Sequence, residues 1–278
     1  MSYKIVVDSC CELPEKWQND PRFESVPLQL EVGDYHIIDD KSFNQKEFLQ
    51  KVAESSACPK SACPSPEQYM EAYNTEADHI YVVTLSSKLS GSYNSAELGK
   101  KLYIENHGEK KIHVIDSLTA SCGESQIAYK LVELEEQGLP FEDICTQIDK
   151  FRDEMNTYFI LGNIDTMYKN GRMSKVKAVL VSTLNIRLIL GDDEGTIVLR
   201  GQALGMKKAM AKMVDLIVSE IKNAGEKRIM ISHCNALERA MIVKEALEQR
   251  VSCKEITLQD TAGVSSMYCA DGGVIVTV

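Results

Sequence analysis

The sequence has no long apolar run. None of its segments approaches the roughly 18 uninterrupted apolar residues that a membrane-spanning helix needs. Its opening, "MSYKIVVDS" (1–9), also lacks the charged-then-apolar layout of a secretory signal. With 278 residues, of which 44% are hydrophobic, the chain has ample core for one large or two ordinary globular domains. These features lead us to expect a cytoplasmic globular protein.

Positive charge is scarce. Lys and Arg together number 31 against 41 Asp and Glu, which gives a net charge of −10, and the basic residues are scattered along the chain. A general nucleic-acid binder needs a basic stripe that displaces counterions, so we expect no nucleic-acid partner. An anionic ligand would have to be held by a local set of donors that works against the overall field.

Common phosphate and zinc motifs are absent as well. The chain contains neither G-x-x-x-x-G-K-[ST] nor G-x-G-x-x-G after a strand, and none of its nine cysteines forms a C-x-x-C pair. We therefore predict no metal, no cofactor, and thiols that are mostly free and buried. Three cysteines near predicted strand ends or loops, Cys10, Cys11 and Cys63, leave a thiol-sensing role open.

Short β-branched runs alternate with longer helical patterns along most of the chain. This alternation predicts an α/β fold with a mostly parallel sheet covered by helices in an N-terminal domain, 1–156. The segment "LGDDEGTIV" (190–198) predicts a β-hairpin, with Gly195 supplying a positive φ. The hairpin breaks the parallel pattern, so we predict a second domain, 157–278, with a mixed sheet. Between the first predicted strand, 4–7, and the first predicted helix, 44–55, the pattern indicates no element.

A serine-rich loop, "TLSSKLSGSYNSA" (84–96), joins a predicted strand to a predicted helix. A helix that begins near Ser92 would point its free N–H groups at the loop, and Gly91 would let the backbone approach a ligand closely. This arrangement favours a carboxylate or phosphate site, with simple helix capping as an alternative. A serine nucleophile is a further alternative, although the loop has no G-x-S-x-G elbow and no evident base.

Polar residues end two other predicted strands. "VVDSC" (6–10) and "VIDSL" (114–118) both end in Asp-Ser, which would place Asp8, Asp116 and Ser117 on the same rim as the serine-rich loop. Such residues also cap turns routinely.

His233 is the one histidine placed like a functional residue, at a strand end. The turn "NGRMSK" (170–175) could contact an anion or a partner, or could simply be solvated.

Several of these segments in combination resemble the DegV family of bacterial fatty-acid-binding proteins. The Ser-Gly loop, 84–96, is similar to the family's L-S-S-x-L-S-G-T-Y-x-S-A along almost its whole length. The other segments that carry the resemblance are "IVVDSCCELP" (5–14), "KSACPSPEQY" (60–69), "VIDSLTASCG" (114–123) and "YKNGRMSK" (168–175). The combination is specific, whereas any one segment alone would not be.

The resemblance implies a non-catalytic α/β protein of two domains that encloses one long-chain fatty acid. The acyl chain would lie in an apolar tunnel, and the carboxylate would be held by Ser61 and Ser90, beside Gly91. Some members pass the fatty acid to a separate kinase, so the implied partners are a long-chain fatty acid, a fatty acid kinase and, transiently, a membrane surface. Further residues that could contact the ligand are Cys63, Ser92, Ser117 and Arg172.

Three positions depart from the family pattern. Ala62 replaces a hydroxyl residue, and Tyr268 aligns roughly with a histidine that approaches the head group. Leu204 aligns with an arginine before "KKA", which weakens the case for docking a kinase in the usual way. We therefore include Tyr268 among the expected carboxylate contacts. Two alternative functions are a serine hydrolase or acyl transferase that uses Ser90 or Ser92, and a binder of another amphipathic carboxylate or phosphate.

Overall fold

The computed structural model describes residues 2–173, 176 and 185–278. Lys175, the lysine of the predicted anion-binding turn, lies outside them. The strands are β1 (Tyr3–Asp8), β2 (Phe23–Val26), β3 (Gln29–Val32), β4 (Tyr35–Ile38), β5 (Lys60–Ala62), β6 (His79–Thr84), β7 (Lys111–Asp116), β8 (Thr157–Ile160), β9 (Ile186–Asp193), β10 (Thr196–Leu204), β11 (Arg228–His233), β12 (Glu255–Asp260) and β13 (Val274–Thr277). The helices are α1 (Gln45–Glu54), α2 (Pro66–Ala72), α3 (Ser92–His107), α4 (Cys122–Glu136), α5 (Phe141–Asp153), α6 (Asp165–Lys169), α7 (Met206–Glu220), α8 (Leu237–Glu248) and α9 (Gly263–Cys269).

The first large sheet is parallel, as predicted. Its strand order is β2-β1-β6-β7, and β6 lies between β1 and β7. The strand β6 is buried along its whole length, as expected for a central strand covered on both faces. Asp8, Thr84 and Asp116 end the three neighbouring strands, so the loops that follow them meet at one edge of the sheet.

The second large sheet is mixed, which confirms the predicted α/β class with a hairpin in the second half. Its order is β10-β9-β8-β13-β11-β12, and only β11 and β12 pair in parallel. The hairpin joins β9 to β10 through Glu194 and Gly195, both with positive φ. Gly195 has a φ of +77°, the left-handed conformation that glycine adopts without steric cost.

A small antiparallel sheet, of order β4-β3-β5, was not predicted. Its strands have only three or four residues each, and β5 forms by pairing with β3, about 30 residues earlier in the chain. Strands this short carry too few alternating positions to be distinguished from loop, so pairing partners distant in sequence decide their formation. This sheet carries Ser61 on β5.

Helix α4 connects the two large sheets. It packs against β6 of the parallel sheet and against β11 and β13 of the mixed sheet. Ile127 and Leu131 are fully buried, and Gln126 donates from Nε2 to the carbonyl of Arg228 at 2.8 Å. Among the described residues, no helix is both long and apolar enough to cross a membrane.

Candidate functional site

A cavity of about 320 Å³ lies between the carboxyl edge of the parallel sheet and the mixed sheet. Its wall is mainly apolar and is built by segments distant in sequence. Leu85 and Leu89 come from the loop after β6, Phe159 comes from β8, Ile197 from β10 and Ile275 from β13. A cavity of this kind suits a ligand with a long apolar portion.

Polar groups collect at one end of this cavity. The hydroxyl oxygens of Ser61 and Tyr268 lie 3.1 Å apart, and both residues belong to the wall. Ser90 and Gly91 of the serine-rich loop also line it. The structure therefore brings together the four residues predicted to hold a carboxylate, which come from β5, the loop before α3, and α9. We call the group of Ser61, Ser90, Tyr268 and Arg172 the head-group cluster.

Arg172 brings positive charge to the same end. Its guanidinium carbon lies 5.8 Å from the centroid of the Tyr268 ring, and its Nε donates to the carbonyl of Leu89 at 3.3 Å. A second bond, from Nη1 to the carbonyl of Asn170 at 2.7 Å, further fixes the side chain. Arg172 is the one basic residue in the cavity wall as far as the described residues show, and a guanidinium suits a carboxylate in both charge and geometry.

The two rim aspartates hold the serine-rich loop in place. Asp8 accepts hydrogen bonds from the Leu85 amide at 2.8 Å and from the Ser92 hydroxyl at 2.5 Å. Asp116 accepts from the Ser87 amide at 2.9 Å. Burial raises the pKa of Asp8, and the hydrogen bonds from Ser92 and Leu85 act against that rise. Asp8 and Asp116 thus have the ordinary capping role, and they position Ser90 without contacting the cavity.

Gly91 allows the loop to pass close to the segment after β5. A Cβ at this position would lie 3.1 Å from the sulfur of Cys63, so a larger residue would require the Cys63 side chain to shift by a few tenths of an ångström. Cys63 itself lines the cavity. Ser90, Gly91 and Cys63 therefore all belong to the cavity wall.

Three other predicted residues lie away from this cavity. Ser92 is fully buried beneath the loop, where its hydroxyl also lies 2.6 Å from that of Tyr69. Ser117 bonds to the backbone of its own turn and lines a second, polar cavity. His233 does not line the first cavity, and its Nδ1 lies 3.2 Å from a carboxylate oxygen of Asp260.

The alternative roles, a serine nucleophile and a sensing thiol, find little support in the geometry. Ser90 accepts a hydrogen bond from the Ser92 amide at 3.2 Å, and the described cavity wall contains no histidine that could act as its base. Burial raises the pKa of Cys10 and of Cys11 well above the ordinary thiol range, and nearby carboxylates add to the rise. A sensing thiol needs the opposite shift. Within the described residues, no cluster of His, Cys, Asp and Glu is arranged to hold a metal ion.

Two features of the wall were not predicted from the sequence. One is helix α9: Tyr268 was an expected ligand contact, but no helix was predicted around it and Val264 was not singled out. The other is the set of alternate residues of β8 and its continuation, Thr157, Phe159 and Leu161. The sequence of β8 is an almost continuous apolar run, so nothing in it identified the face that borders a cavity.

The chain is similar to known proteins over nearly its whole length. The family model described as "Uncharacterised protein, DegV family" matches residues 2–277. A DegV domain-containing protein of Streptococcus pneumoniae (strain ATCC BAA-255 / R6) is 35% identical over 279 residues, covering 99% of this chain and 98% of its own. The solved structure of a DegV family protein from Ruminococcus gnavus ATCC 29149, refined with vaccenic acid, is 47% identical, with a TM-score of 0.98 over 100% of both chains. The Streptococcus pneumoniae Fatty Acid Kinase (Fak) B3 protein, loaded with linoleic acid, is 34% identical, with a TM-score of 0.90 over 100% of this chain and 99% of its own.

Proposed function

The chain belongs to the DegV family, and on that premise we propose that it is a non-catalytic binding protein for one long-chain fatty acid. The acyl chain lies in the apolar cavity, and the carboxylate is bound by the head-group cluster. The observation that carries this proposal is the arrangement of the cavity, with an apolar wall and with Ser61, Ser90, Tyr268 and Arg172 gathered at one end. The relatives from Ruminococcus gnavus and Streptococcus pneumoniae each hold a long-chain fatty acid.

The head-group cluster has the donors that a desolvated carboxylate requires. A carboxylate taken out of water must recover its hydrogen bonds, and bonds to a charged acceptor are the strong ones. The hydroxyls of Ser61 and Tyr268 are close enough to direct their protons at a single oxygen, and Arg172 adds positive charge. Ser90 approaches from the loop before α3, where the start of the helix favours negative charge.

The apolar wall supplies most of the affinity. Each methylene group removed from water contributes about 0.8 kcal/mol, so a long acyl chain outweighs the few bonds to the head. The polar cluster then has the role of orienting the ligand. This division explains why the cavity needs no strongly basic lining in a chain with a net charge of −10.

We further propose that the protein works in the cytoplasm and presents its fatty acid to a separate kinase. The support is its similarity to a protein named as the B3 protein of a fatty acid kinase. The described residues contain no phosphate-binding loop of their own. Leu204, the position that departs from the family pattern, is 59% exposed at the end of β10, so kinase docking at this point would use an apolar side chain.

We also propose a division into two domains between residues 156 and 157. The parallel sheet lies within residues 3–116 and the mixed sheet within 157–277, so no strand pairing among the described residues joins the two parts. The small antiparallel sheet belongs to the first part. In this arrangement the cavity wall is shared, because Ser61 and Ser90 come from the first domain and Arg172 and Tyr268 come from the second.

Titration of delipidated protein with oleate and with oleyl alcohol tests the proposed function. The two ligands share a hydrocarbon chain and differ only in the head, so their affinities separate the two parts of the site. We expect one oleate per chain, bound at least tenfold more tightly than the alcohol, because bonds to a carboxylate are charge-assisted. A protein that binds neither ligand, or binds both equally, would contradict the proposal.

A further inference from the structure

The cavity that we assign to the acyl chain has a second cavity directly beyond one end. The second cavity has a volume of about 440 Å³ and a polar wall that includes Lys88, Asp116, Arg152, Asp153 and Glu194. Four residues line both cavities and so form the partition between them. They are Leu118, Thr119, Thr157 and Asp192.

A hydrogen bond closes this partition. The hydroxyl oxygens of Thr119 and Thr157 lie 2.7 Å apart, and both residues are buried. Thr119 belongs to the loop after β7, whereas Thr157 is the first residue of β8 in the mixed sheet. Asp192 supports the bond from the side, because it accepts from the Thr157 amide at 2.7 Å. The partition is therefore formed where the two large sheets meet.

The partition lies at the opposite end of the cavity from the head-group cluster. Thr157, Phe159 and Leu161 alternate along β8 and its continuation, and all three line the cavity. Four residues of extended chain at about 3.3 Å each place Leu161 about 13 Å from Thr157. The residue after Leu161, Gly162, donates to the carbonyl of Cys269, the neighbour of Tyr268, at 2.9 Å. The strand thus runs from the partition to the head-group cluster.

We propose that the Thr119–Thr157 pair sets the maximum length of the acyl chain that the protein accepts. This inference rests on the proposed function. A ligand whose carboxylate is held by the head-group cluster directs its methyl end toward the pair. A longer chain would have to break a buried hydrogen bond and enter a cavity lined by charged groups, where burial of a methyl group brings no gain.

The surroundings keep Thr119 in place. Its carbonyl accepts from the Ser86 amide at 3.0 Å, which ties its turn to the serine-rich loop. A Cβ at Gly123 of α4 would lie 2.3 Å from the Thr119 hydroxyl oxygen, so the glycine makes room for the threonine side chain. A side chain held on both sides in this way forms a fixed wall, and the length limit should accordingly be sharp.

A chain-length series tests the inference. We would measure the affinity of saturated acids of about 14 to about 22 carbons for the wild type, Thr119→Ala, Thr157→Ala and the double variant. In the wild type, the affinity should rise about fourfold per methylene up to a limit and then stop rising or fall. The alanine variants should move that limit by about two carbons or more, while acids below the limit change by about twofold or less.

Further variants distinguish three effects on the length limit: the volume of the wall, the hydrogen bond between the two threonines, and a general loss of stability. Thr119→Val keeps a side chain of similar size but cannot form the hydrogen bond, so it should raise the limit less than Thr119→Ala does. Thr157→Ser, which removes one methyl group and is the mildest change, should raise it by about one carbon. Thr146→Ala, on the exposed face of α5, should change nothing. If the wild type binds acids but its limit is the same in all partition variants, the inference is overturned and the proposed function stands. If the wild type binds no acid of any length, the proposed function fails.

Discussion

At the scale of single residues, the head-group cluster that we propose consists of hydroxyl and guanidinium groups, with Tyr268 in place of a histidine. Tyr268 stands where the family resemblance implies a histidine, and its phenol can donate a hydrogen bond but carries no positive charge at neutral pH. Arg172 lies against the ring of Tyr268 and supplies the charge that a histidine could have provided. The departure from the family pattern at residue 268 therefore remains compatible with a carboxylate ligand.

Replacement of Ser90 by alanine should weaken oleate binding by about 1–3 kcal/mol, because a desolvated carboxylate oxygen would lose a donor. Calorimetric titration of the delipidated protein measures this difference. Ser87→Ala is the matched control, since Ser87 belongs to the same loop but does not line the cavity. Equal affinities for wild type and Ser90→Ala would remove Ser90 from the site.

Replacement of Arg172 by glutamine should reduce the affinity for oleate by tenfold or more and leave that for oleyl alcohol nearly unchanged. The reason is that a hydrogen bond to a charged group contributes about 1.5–3 kcal/mol, and an alcohol has no charge to lose. The same titration with both ligands checks this. A parallel loss for both ligands would indicate that Arg172 acts only through packing or through its bond to the Leu89 carbonyl.

Only part of the head-group cluster could be predicted from the sequence. Ser61 and Ser90 belong to hydroxyl-rich motifs with a recognisable pattern, and Arg172 belongs to a polar turn. That Arg172 lies against Tyr268, and Ser61 beside the same residue, follows from contacts across about 100 and about 200 positions of the chain. Ser92 belongs to the same motif as Ser90 but lies outside the head-group cluster, because its hydroxyl bonds to Asp8 beneath the loop.

At the scale of elements, helix α9 is the one whose formation depends most on other parts of the chain. Its sequence begins with Gly263, Val264, Ser265 and Ser266, all poor helix formers, so no helix was predicted there. Asp39 accepts hydrogen bonds from the Gly263 amide at 2.7 Å and the Val264 amide at 2.8 Å. These bonds satisfy the first free amides of a helix that also carries Tyr268.

Replacement of Asp39 by asparagine should lower the free energy of unfolding by about 1–3 kcal/mol. Asparagine offers one accepting oxygen to two amides, and its NH₂ group would face a donor. A Cβ at Gly263 would lie 2.4 Å from an Asp39 oxygen, so the contact leaves no room for rearrangement. Urea unfolding measures the change, and Asp34→Asn, at an exposed position of the preceding turn, is the control. An unchanged midpoint would mean that Asp39 does not hold α9.

The predicted elements succeeded where local signals were strong. The hairpin at Gly195 and the helix that begins at Ser92 are both present. The short strands β2 to β5 were not predicted, because whether three or four residues form a strand depends on the segment with which they pair.

At the scale of the whole molecule, a buried carboxyl group joins the two halves. Glu12 follows β1 in the first half and accepts from the Ser121 hydroxyl at 2.7 Å. It also accepts from Gln259 and from the Ala262 amide of the second half, each at 3.3 Å. Burial raises the pKa of Glu12 to about 7, although hydrogen bonding to Ser265, to Ser121 and to the Ala262 amide acts to lower it. The junction between the halves therefore contains a group that titrates near neutral pH.

The contribution of Glu12 to stability should decrease as the pH rises. Its folded pKa of about 7 lies above the ordinary value of 4.5, so between those values the folded state binds more protons than the unfolded state. The contribution is complete below the unfolded pKa and is lost as the pH rises through the folded pKa. The difference in unfolding free energy between wild type and Glu12→Gln should fall over this window by at most about 1.4 kcal/mol per pH unit.

Urea unfolding of both proteins at a series of pH values measures this difference. The subtraction largely cancels the titrating groups that do not interact with Glu12. Asp39, whose pKa burial raises to about 6, lies near enough to raise the pKa of Glu12, so its titration contributes to the difference. A difference that stays constant with pH would show that Glu12 titrates alike in the folded and unfolded states.

The architecture as a whole was the most predictable level. Alternation of strands and helices identified the α/β class, and the hairpin identified a mixed second sheet. The cavity could not be predicted in the same way, because its wall combines residues from the loops after β6 and β7 with residues from β8, β10, α9 and β13. Its existence depends on how two sheets and α4 pack, and no local pattern encodes that.

The central claim, that this protein encloses one long-chain fatty acid, is tested most directly by native mass spectrometry of the protein purified from a bacterial host, followed by lipid extraction. We expect a mass increase that corresponds to one fatty acid per chain, and the same acid in the extract. Ser90→Ala should retain less of it than Ser87→Ala. Protein that carries no fatty acid, and shows no mass shift after incubation with oleate or palmitate, would contradict the account.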